Sequence, residues 1–365
     1  MPALFQAAAS SASVAVPPSR LVEKMPADLM AKMLSMLSLK EGVQLRTVSK
    51  PRGNRFALPE NKFPQLDSTS LSANQTTAVV QSNAAMKTLQ HSLWLTRSLT
   101  LDGPDSVRLL SHLQFKQLQT LNMGTFSHGS LAPLAKLTGL RMLLLSRYDG
   151  NDLTPLAALV KLETLDLGAY QGDITFLGAM VHLRQLELRQ SYGDLTPLSK
   201  LGQLHTLTIA CREGDLTSLA SLVQLQHLNL DWYKQGDLTP LAKLVRLQSL
   251  RLIDYRQGDL TPLASLVQLI SLRLNMCDHG DLTGLGNLAR LRWLDLHWYL
   301  EGDLTPLGNL AQLGRLDLSG YRRGDVTPLM RLRQLKDLYL TSYQFEDDQA
   351  KDALLRALPS TVLHF

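Results

Sequence analysis

Carboxylates at a nearly constant spacing are the first candidates for chemistry in this 365-residue chain. Nine aspartates recur every 21 or 22 residues, each directly before a phrase resembling Leu-Thr-Pro-Leu. They are Asp152, Asp173, Asp194, Asp215, Asp237, Asp259, Asp281, Asp303 and Asp325. Stacked carboxylates can coordinate a hard cation such as Ca²⁺. Each Asp also precedes a helical turn whose free amides it can accept, so the sequence favours a capping role and predicts no metal.

Residue patterns typical of enzymes do not occur in the sequence. The nine histidines stand at different positions within the repeated phrase, without metal-ligand spacing. The sequence has no Ser-His-Asp or Cys-His arrangement and no phosphate-binding loop. We therefore predict a non-enzymatic protein without a cofactor.

The elements that position these aspartates are short strands followed by short helical turns. Twelve Leu-x-Leu pairs run from Leu99 and Leu101 to Leu338 and Leu340, with Met123 and Ile209 as the only substitutes. Alternation of this kind predicts a strand with one buried face. After most strands, Thr as N-cap and Pro at the first helical position predict a helical turn. Units of this period stack around one continuous core, which indicates an α/β solenoid.

The phrase Leu-x-x-Leu-x-Leu followed by Asp-Leu-x-Pro-Leu-x-x-Leu resembles the short leucine-rich repeat of internalins and phosphatase-regulatory solenoids. This resemblance implies a curved repeat array with a parallel sheet on its concave face, over residues 93–346. Residues 347–365, with an amphipathic helix over 347–358 and a strand over 361–365, are expected to cap the last repeat.

Tyrosine occupies the position where that family usually has Asn, five residues after the first Leu of each pair. The residues there are Tyr148, Tyr170, Tyr233, Tyr255, Cys277, Tyr299, Tyr321 and Tyr343. Tyr does not fit an Asn-sized inner corner, so either the rings turn outward or the turn is wider. A stacked aromatic column that stabilises neighbouring repeats is the favoured interpretation, with ligand binding as the alternative.

The two halves of the expected concave face differ in composition. In the first half the outward strand positions are mostly small or uncharged, for example Thr120, Thr164 and Thr208. The second half carries aromatic and charged candidates for partner binding, because such residues supply large contact areas. They are His227, Asp231, Trp232, Arg251, Asp254, Arg273, Met276, Trp293, Asp295, His297, Trp298, Arg315, Asp317, Asp337 and Tyr339. Mutual neutralisation, for example of Arg273 by Asp295, is the alternative.

The positive charge of the chain is concentrated in its N-terminal part. Residues 1–65 hold nine Lys or Arg against four acidic residues, which leaves 28 of each sign in the rest. A neutral solenoid argues against nonspecific nucleic-acid binding. No apolar run approaches a membrane span, and residues 1–20 are expected to be a disordered tail and not a secretory signal. Cys211 and Cys277 lie three repeats apart, too far for a disulfide, so a reduced cytoplasmic or nuclear location is expected.

Residues 21–56 predict a small helical module. Pro26 can start a helix with Leu29, Met33 and Leu37 on one apolar side, and a second helix is expected around Glu41 to Ser49. Met25-Pro26, Asp28-Leu29, Met33-Leu34, Leu37, Leu45-Arg46 and Val48-Ser49-Lys50 are similar to an F-box. This resemblance implies that Pro26, Leu29, Met33, Leu37, Leu45 and Val48 bind the Skp-type adaptor of a cullin-RING ubiquitin ligase. After Lys50 the similarity ends at Pro51 and Gly53.

Two functional hypotheses follow, with residues 57–92 as linker and N-terminal cap in both. In the first, the F-box-like module docks on the ligase and the repeats hold the protein to be ubiquitinated, a layout taken by analogy from F-box substrate receptors. In the second, the chain is a freestanding scaffold, phosphatase-regulatory or structural, and its N-terminal helices only cap the array.

Overall fold

The structure of the chain is a computed structural model. It describes residues 43–47, 70–71, 97–101, 107, 110, 111 and 114–365, except 125, 127, 128, 147, 149, 151, 190–193, 211–214, 235, 256–258, 277–280, 346 and 347. The predicted first helix of the F-box-like module and both cysteines lie outside these residues.

The strands lie side by side in one sheet in the order of the chain. Thirteen parallel strands, β3 to β15, form its described body. They are β3 (Ser98–Leu101), β4 (Thr120–Asn122), β5 (Met142–Leu144), β6 (Thr164–Asp166), β7 (Gln185–Leu188), β8 (Thr206–Ala210), β9 (His227–Asp231), β10 (Ser249–Ile253), β11 (Ser271–Asn275), β12 (Trp293–Asp295), β13 (Arg315–Asp317), β14 (Asp337–Tyr339) and β15 (Val362–His364). The register pairs each leucine with the leucine of the next repeat, as Leu250 with Leu272. This arrangement confirms the predicted solenoid.

A five-residue 3₁₀ helix follows almost every strand on the opposite side of the core. These helices span Ala132–Lys136, Thr154–Ala158, Thr175–Ala179, Thr196–Lys200, Thr217–Ser221, Thr239–Lys243, Thr261–Ser265, Thr283–Asn287, Thr305–Asn309 and Thr327–Arg331. Each helix stacks on the helix of the next repeat, as each strand does on the next strand. The two layers enclose a column of leucines that are almost entirely buried. Burial of this leucine column supplies most of the stabilising free energy of the repeats.

Nine of the ten 3₁₀ helices begin at a Thr capped by the preceding aspartate, and this corrects one detail of the prediction; the first begins at Ala132, whose amide donates to the Ser130 hydroxyl. The carboxylate oxygen of each of the nine aspartates accepts a hydrogen bond from the backbone N–H of the Thr two residues later, at 2.7 to 2.9 Å. Thr was expected to cap with its own side chain, but it is the first helical residue and its amide is the group that is capped. Asp fulfils this role because the first amides of a helix have no internal acceptor.

The two ends of the sheet are closed differently. At the C-terminal end, helix α1 (Asp348–Ala357) buries Leu354, and β15 pairs with β14, as the sequence predicts. At the N-terminal end, β1 (Val43–Thr47) pairs antiparallel with β3 and with β2 (Ser70–Leu71). The second helix predicted around Glu41 to Ser49 is therefore wrong. Val43, Leu45 and Thr47 alternate with polar residues, and this period of two with β-branched side chains suits a strand.

Candidate functional site

The tyrosine column lies inside the solenoid and fills the place of the usual Asn. Tyr148, Tyr170, Tyr233, Tyr255, Tyr299 and Tyr321 are buried, and Tyr343 is partly buried at the end of the array. Successive rings stack nearly parallel, for example Tyr233 on Tyr255 with 6.0 Å between centroids and 2° between planes. The stacked column favoured from the sequence is confirmed. Residue 277, which occupies the same position in its repeat, lies outside the residues that the structure describes.

Tyrosine hydroxyls take over the hydrogen bonding that an Asn amide would provide. The hydroxyls of Tyr148, Tyr255, Tyr321 and Tyr343 each donate to the carbonyl of a glycine nineteen residues earlier, at 2.7 to 3.0 Å. Burial, followed by neighbouring tyrosines and aspartates, raises the pKa of Tyr321 above its ordinary value. The phenol is therefore a neutral donor at physiological pH, and its role is structural.

Glycines appear in the same turn because the tyrosine ring leaves no room for a side chain. At Gly236, Gly302 and Gly324 a Cβ would lie 1.9 Å from the hydroxyl oxygen of the tyrosine three residues before it. The backbone φ angles there are +148°, +148° and +136°, which glycine adopts without strain.

In the second half of the array, the residue directly before the tyrosine position adopts a left-handed conformation. This row consists of Trp232, Asp254, Met276, Trp298, Gly320 and Ser342, with φ between 61° and 92°. We call it the left-handed row. Except for Ser342, each member donates its N–H to a carbonyl of the following repeat at 2.8 to 3.0 Å, so the backbone pairing of the sheet continues through it. The turn that brings the tyrosine inward therefore imposes the left-handed conformation.

The side chains of the left-handed row are not the ones that this conformation favours. Gly and Asn adopt a positive φ at low cost, whereas bulky residues rarely do. Trp232, Met276 and Trp298 nevertheless stand here, with 55%, 39% and 43% of their surface exposed. At Gly320 a Cβ would lie 3.3 Å from the backbone N and Cα atoms of Trp298 and 3.4 Å from its Cε3 atom. Large exposed apolar side chains on strained backbone indicate selection for a surface role.

Asp254 departs from the surface role predicted for it. Its side chain is only 2% exposed and lies 3.7 Å from the Nζ atom of Lys234. The sequence analysis listed it with the outward residues that flank the leucine pair. Trp232, Met276 and Trp298 have the same left-handed conformation and are exposed, so this conformation alone does not account for the burial of Asp254.

The other candidates lie on the face of the sheet that points away from the leucine core. We call this face the open sheet face; it is the predicted concave face. The register places Arg251 beside Arg273, Arg273 beside Asp295, and Asp295 beside Asp317, as the repeat phase predicts. His227, Asp231, Trp293, His297, Arg315, Asp337 and Tyr339 lie on the same face, while Trp232, Met276 and Trp298 lie along its edge at the carboxyl ends of the strands.

Only part of the charge on the open sheet face is neutralised within it. The Nε atom of Arg251 lies 3.0 Å from an oxygen of Asp231. Asp295 instead accepts hydrogen bonds from the His297 amide at 3.1 Å and from the Asn275 side chain at 3.4 Å, and Asp317 accepts one from the Ser319 amide at 2.9 Å. Among the described residues of this face, Arg251 forms a close ion pair, whereas Arg273 and Asp295 lie side by side and attract each other without one.

Arginines and aromatic rings form a continuous cluster on β11 to β15. The guanidinium of Arg273 lies 4.0 Å from the ring centroid of Trp293, and that of Arg315 lies 5.8 Å from Trp293 and 5.0 Å from Tyr339. Tyr339 stacks on His364 at 4.1 Å. We call these residues the arginine–aromatic cluster. The sequence analysis named most of these residues one by one. It could not show that they touch, because their contacts run diagonally from one repeat to the next.

Two acidic residues interrupt the first half of the open sheet face, which is otherwise mostly small or uncharged, as the sequence predicts. Asp166 and Glu187 lie in its central column, and Arg189 forms an ion pair with Glu187 at 3.0 Å. Near the amino ends of these strands a shallow cavity of about 170 Å³ is lined by Arg141, Lys161, Glu163, His182, Arg184 and Gln203. Arg141 and Glu163 pair at 2.7 Å across this cavity.

Metal binding by the aspartate column has no support in the geometry. Each carboxylate is engaged by the Thr amide that it caps, and in the part of the chain that the structure describes no group of His, Cys, Asp or Glu is placed to hold a metal ion. Hydrogen bonds from the Thr hydroxyl and then from the Thr amide lower the carboxyl pKa of Asp194, Asp215, Asp237, Asp281 and Asp303. Across the described ranges, no helix is long and apolar enough to cross a bilayer.

Comparison with known proteins shows the fold. No protein-family model matches the chain, and no curated protein matches it. Among solved structures it is similar to the internalin InlF of Listeria monocytogenes, with 25% identity and a TM-score of 0.65 over 79% of this chain and 92% of that one. It is also similar to the ectodomain of the plant receptor kinase GASSHO1/SCHENGEN3 of Arabidopsis thaliana, solved in complex with CASPARIAN STRIP INTEGRITY FACTOR 2. That likeness has 20% identity and a TM-score of 0.55, over 72% of this chain and 37% of the receptor chain. The described part is thus a leucine-rich repeat array with short repeats.

Proposed function

We propose that the chain is a protein-recognition scaffold that holds its partner on the second half of the open sheet face. The observation that carries this proposal is the placement of Trp232, Met276 and Trp298, which are large, exposed and held in a left-handed conformation better suited to Gly or Asn. Tryptophan, methionine and arginine are enriched in the cores of protein interfaces. The fold shared with other leucine-rich repeat proteins supports a binding scaffold over an enzyme.

Partner capture tests this proposal. The full chain is immobilised and used to isolate associated proteins from cells, beside the variant Trp232→Ala/Met276→Ala/Trp298→Ala. We expect the variant to lose the partner while keeping the melting temperature of the parent, because these side chains are not part of the leucine core. A control variant, Val160→Ala/Val223→Ala/Val245→Ala, removes exposed apolar side chains from the turns before the strands. Equal capture by the parent and the tryptophan–methionine variant would locate the binding surface elsewhere.

A finer proposal is that the scaffold is the substrate receptor of an SCF-type cullin-RING ubiquitin ligase, with residues 21–56 as the adaptor-binding module. The F-box-like residues from Pro26 to Val48 and the order of module and repeats support it. The strand β1 weighs against it, since Val43–Thr47 pairs with the first repeat strand where the resemblance implies a helix. The second candidate, a freestanding scaffold whose N-terminal segment closes the array, is favoured by that same strand pairing.

Adaptor binding separates these two candidates. The full chain is mixed with a purified Skp-type adaptor and the mixture is resolved by size-exclusion chromatography. A complex that Leu29→Asp/Leu37→Asp abolishes would support the receptor, and the control variant Leu355→Asp, at an exposed position of α1, should leave it intact. Absence of a complex at micromolar concentration would remove the ligase role and leave the freestanding scaffold.

A further inference from the structure

The connections that lead from each 3₁₀ helix to the next strand carry almost no negative charge. Each of the ten connections spans six residues, from the last residue of a 3₁₀ helix to the residue before the following strand, as in 243–248. Together they contain one acidic residue, Glu163, and twelve basic ones. The basic residues are Lys136, Arg141, Lys161, Arg184, Lys200, Lys243, Arg246, Arg290, Arg292, Arg331, Arg333 and Lys336, and all of them are exposed. We call this side of the array the basic edge.

Backbone hydrogen bonds join the ten connections into one continuous surface. The residue before each strand donates its N–H to the carbonyl of the equivalent residue in the preceding repeat, at 2.7 to 2.9 Å, without a break from Arg141 to Lys336. Neighbouring connections are therefore about 4.8 Å apart, and the basic edge is a strip roughly 45 Å long. Cations that are far apart in the sequence lie close together along this strip.

The charge of the basic edge is not neutralised by neighbouring carboxylates. Glu163 pairs with Arg141 at 2.7 Å, and none of the other eleven cations forms an ion pair with a residue that the structure describes. Arg246 instead donates to the neutral side chain of Gln224 at 2.6 Å. The connections that run the other way, from strand to 3₁₀ helix, hold fourteen acidic residues against seven basic ones. The neutral total charge of the repeats thus hides two oppositely charged sides.

Aliphatic side chains are exposed along the same edge. Half of the large apolar side chains that are exposed in the described part of the chain lie here. They are Val160, Val181, Val223, Val245, Val267 and Ile270, with 37% to 51% of their surface exposed. The five valines occupy the same position in their repeats, each directly before a polar or basic residue. The ten connections contain no Phe, Tyr or Trp.

A partner of the basic edge has to accept many cations and also cover aliphatic side chains. The surface of an anionic membrane does both, because its headgroups attract Lys and Arg and the acyl boundary below them accepts apolar groups. The stems of Lys and Arg can lie along this boundary while their charged ends reach the headgroups. A nucleic acid accounts for the cations but not for the valines, and the edge offers no aromatic ring on which a base could stack.

We propose that the basic edge binds the surface of a membrane that contains anionic lipids, so that the array lies on the membrane by this edge. The shallow cavity lined by Lys161 and Arg184 belongs to the edge and receives a headgroup phosphate. The left-handed row lies at the opposite ends of the strands and stays open to a protein partner. Lipid binding therefore goes beyond the proposed function, and either property can hold without the other.

Co-sedimentation of the full chain with vesicles tests this inference. The probes are vesicles of phosphatidylcholine alone and vesicles in which about a third of the lipid is phosphatidylserine. We expect the chain to sediment with the anionic vesicles only, and binding to weaken as salt concentration rises. The variant Lys161→Gln/Arg184→Gln/Arg290→Gln/Arg292→Gln should weaken binding at least about tenfold. No sedimentation of the parent with anionic vesicles would overturn the proposal.

A control with the same loss of charge separates the basic edge from the net charge of the chain. Arg189→Gln/Arg322→Gln/Arg323→Gln/Arg356→Gln removes four exposed cations that lie outside the basic edge. We expect this variant to keep the affinity of the parent within about twofold. Residues 1–65, with their own positive charge, are the same in both variants. Equal losses in the two variants would show that net charge sets the affinity and would refute a role of the edge.

The aliphatic row distinguishes a membrane from other polyanions. Val223→Ser/Val245→Ser/Val267→Ser should weaken binding to anionic vesicles several-fold, because lipid covers these side chains. The melting temperature of every variant should match that of the parent, since all the replaced side chains are exposed. If the valine variant binds vesicles like the parent, and duplex DNA competes with the vesicles for the edge, the edge is a nucleic-acid site and the membrane proposal is wrong.

Discussion

At the scale of single residues, tyrosine in the position of the usual Asn joins one repeat to the next. Its hydroxyl donates to the glycine carbonyl of the preceding repeat. The ring also stacks on the next ring, so one residue contributes both a polar and an apolar contact between repeats. Both contacts require the glycine three residues after the tyrosine, because a side chain there would collide with the tyrosine ring.

The coupling of tyrosine and glycine predicts a large effect of a small substitution. Gly302→Ala places a methyl group 1.9 Å from the hydroxyl oxygen of Tyr299, at a φ of +148°. We expect it to lower the free energy of unfolding by about 3 kcal/mol, measured by urea denaturation. The matched control is Gly314→Ala, where a Cβ would meet its nearest neighbour, the Arg292 carbonyl, at 3.6 Å; we expect a change within about 0.5 kcal/mol. Equal effects at the two glycines would contradict the role of the ring.

At the scale of elements, five aspartates link the start of a 3₁₀ helix to pH: Asp194, Asp215, Asp237, Asp281 and Asp303. The folded pKa of these carboxyl groups is lowered, chiefly by Thr hydroxyls. A lowered folded pKa contributes stability that is present above the unfolded value of about 4 and is lost as pH falls through the folded value.

This linkage predicts an acid-sensitive fold. We expect the melting temperature of the chain to fall between pH 5 and pH 3, and to fall less steeply in Asp281→Asn/Asp303→Asn, because Asn accepts the Thr amide without titrating. Asp352→Asn, on the exposed side of α1, serves as control, since exposed pairs such as Asp352 with Arg356 contribute little. Parallel pH profiles for the parent and the double variant would exclude the caps as the source of acid sensitivity.

The elements that could be predicted from the sequence are those fixed by leucine spacing. Every Leu-x-Leu pair described by the structure lies in or directly beside a strand, because only that phase buries both leucines. The left-handed row could not be predicted, since Trp232 and Met276 are residues that a sequence pattern does not associate with positive φ. Asp254 is buried beside Lys234 of the preceding repeat, and Arg273 reaches Trp293 of the following repeat by a diagonal contact. Neither depends on residue type alone.

At the N-terminal end, prediction failed for a different reason. Residues 41–49 contain both an apolar spacing compatible with a helix and the alternation Val43, Leu45, Thr47. For so short a segment the available pairing partner decides between the two, and the exposed edge of β3 provides one. The assembled sheet shows which strand is available for pairing, and the sequence of residues 41–49 does not.

At the scale of the whole molecule, the array depends on its last helix to keep the leucine core from water. Leu354 is fully buried against the final repeat, while Leu355, one residue later, is 43% exposed. We expect Leu354→Asp to expose the core, and Leu355→Asp, which adds the same charge, to leave it covered.

Hydrogen exchange, measured for the backbone amides along the chain, tests this prediction. In Leu354→Asp the amides of β14 and β13 should lose protection first, and aggregates should appear in size-exclusion chromatography, because the loss of the cap opens one end of the sheet. Protection in β4 to β6 should change less. A uniform loss throughout the array, or no loss at all, would show that α1 does not act as a cap.

The tyrosine hydroxyls give the array a direction that a simple stack of leucines does not have. Each donor belongs to one unit and its acceptor to the unit before, as in Tyr321 with Gly302 and Tyr343 with Gly324. Duplication or excision of a unit that carries this tyrosine and glycine, between two units that also carry them, leaves the junction chemically identical, provided that the cut falls at the same phase. Recombination between such units can therefore lengthen or shorten the array. The width of the open sheet face changes, while the tyrosine–glycine hydrogen bond between units stays the same.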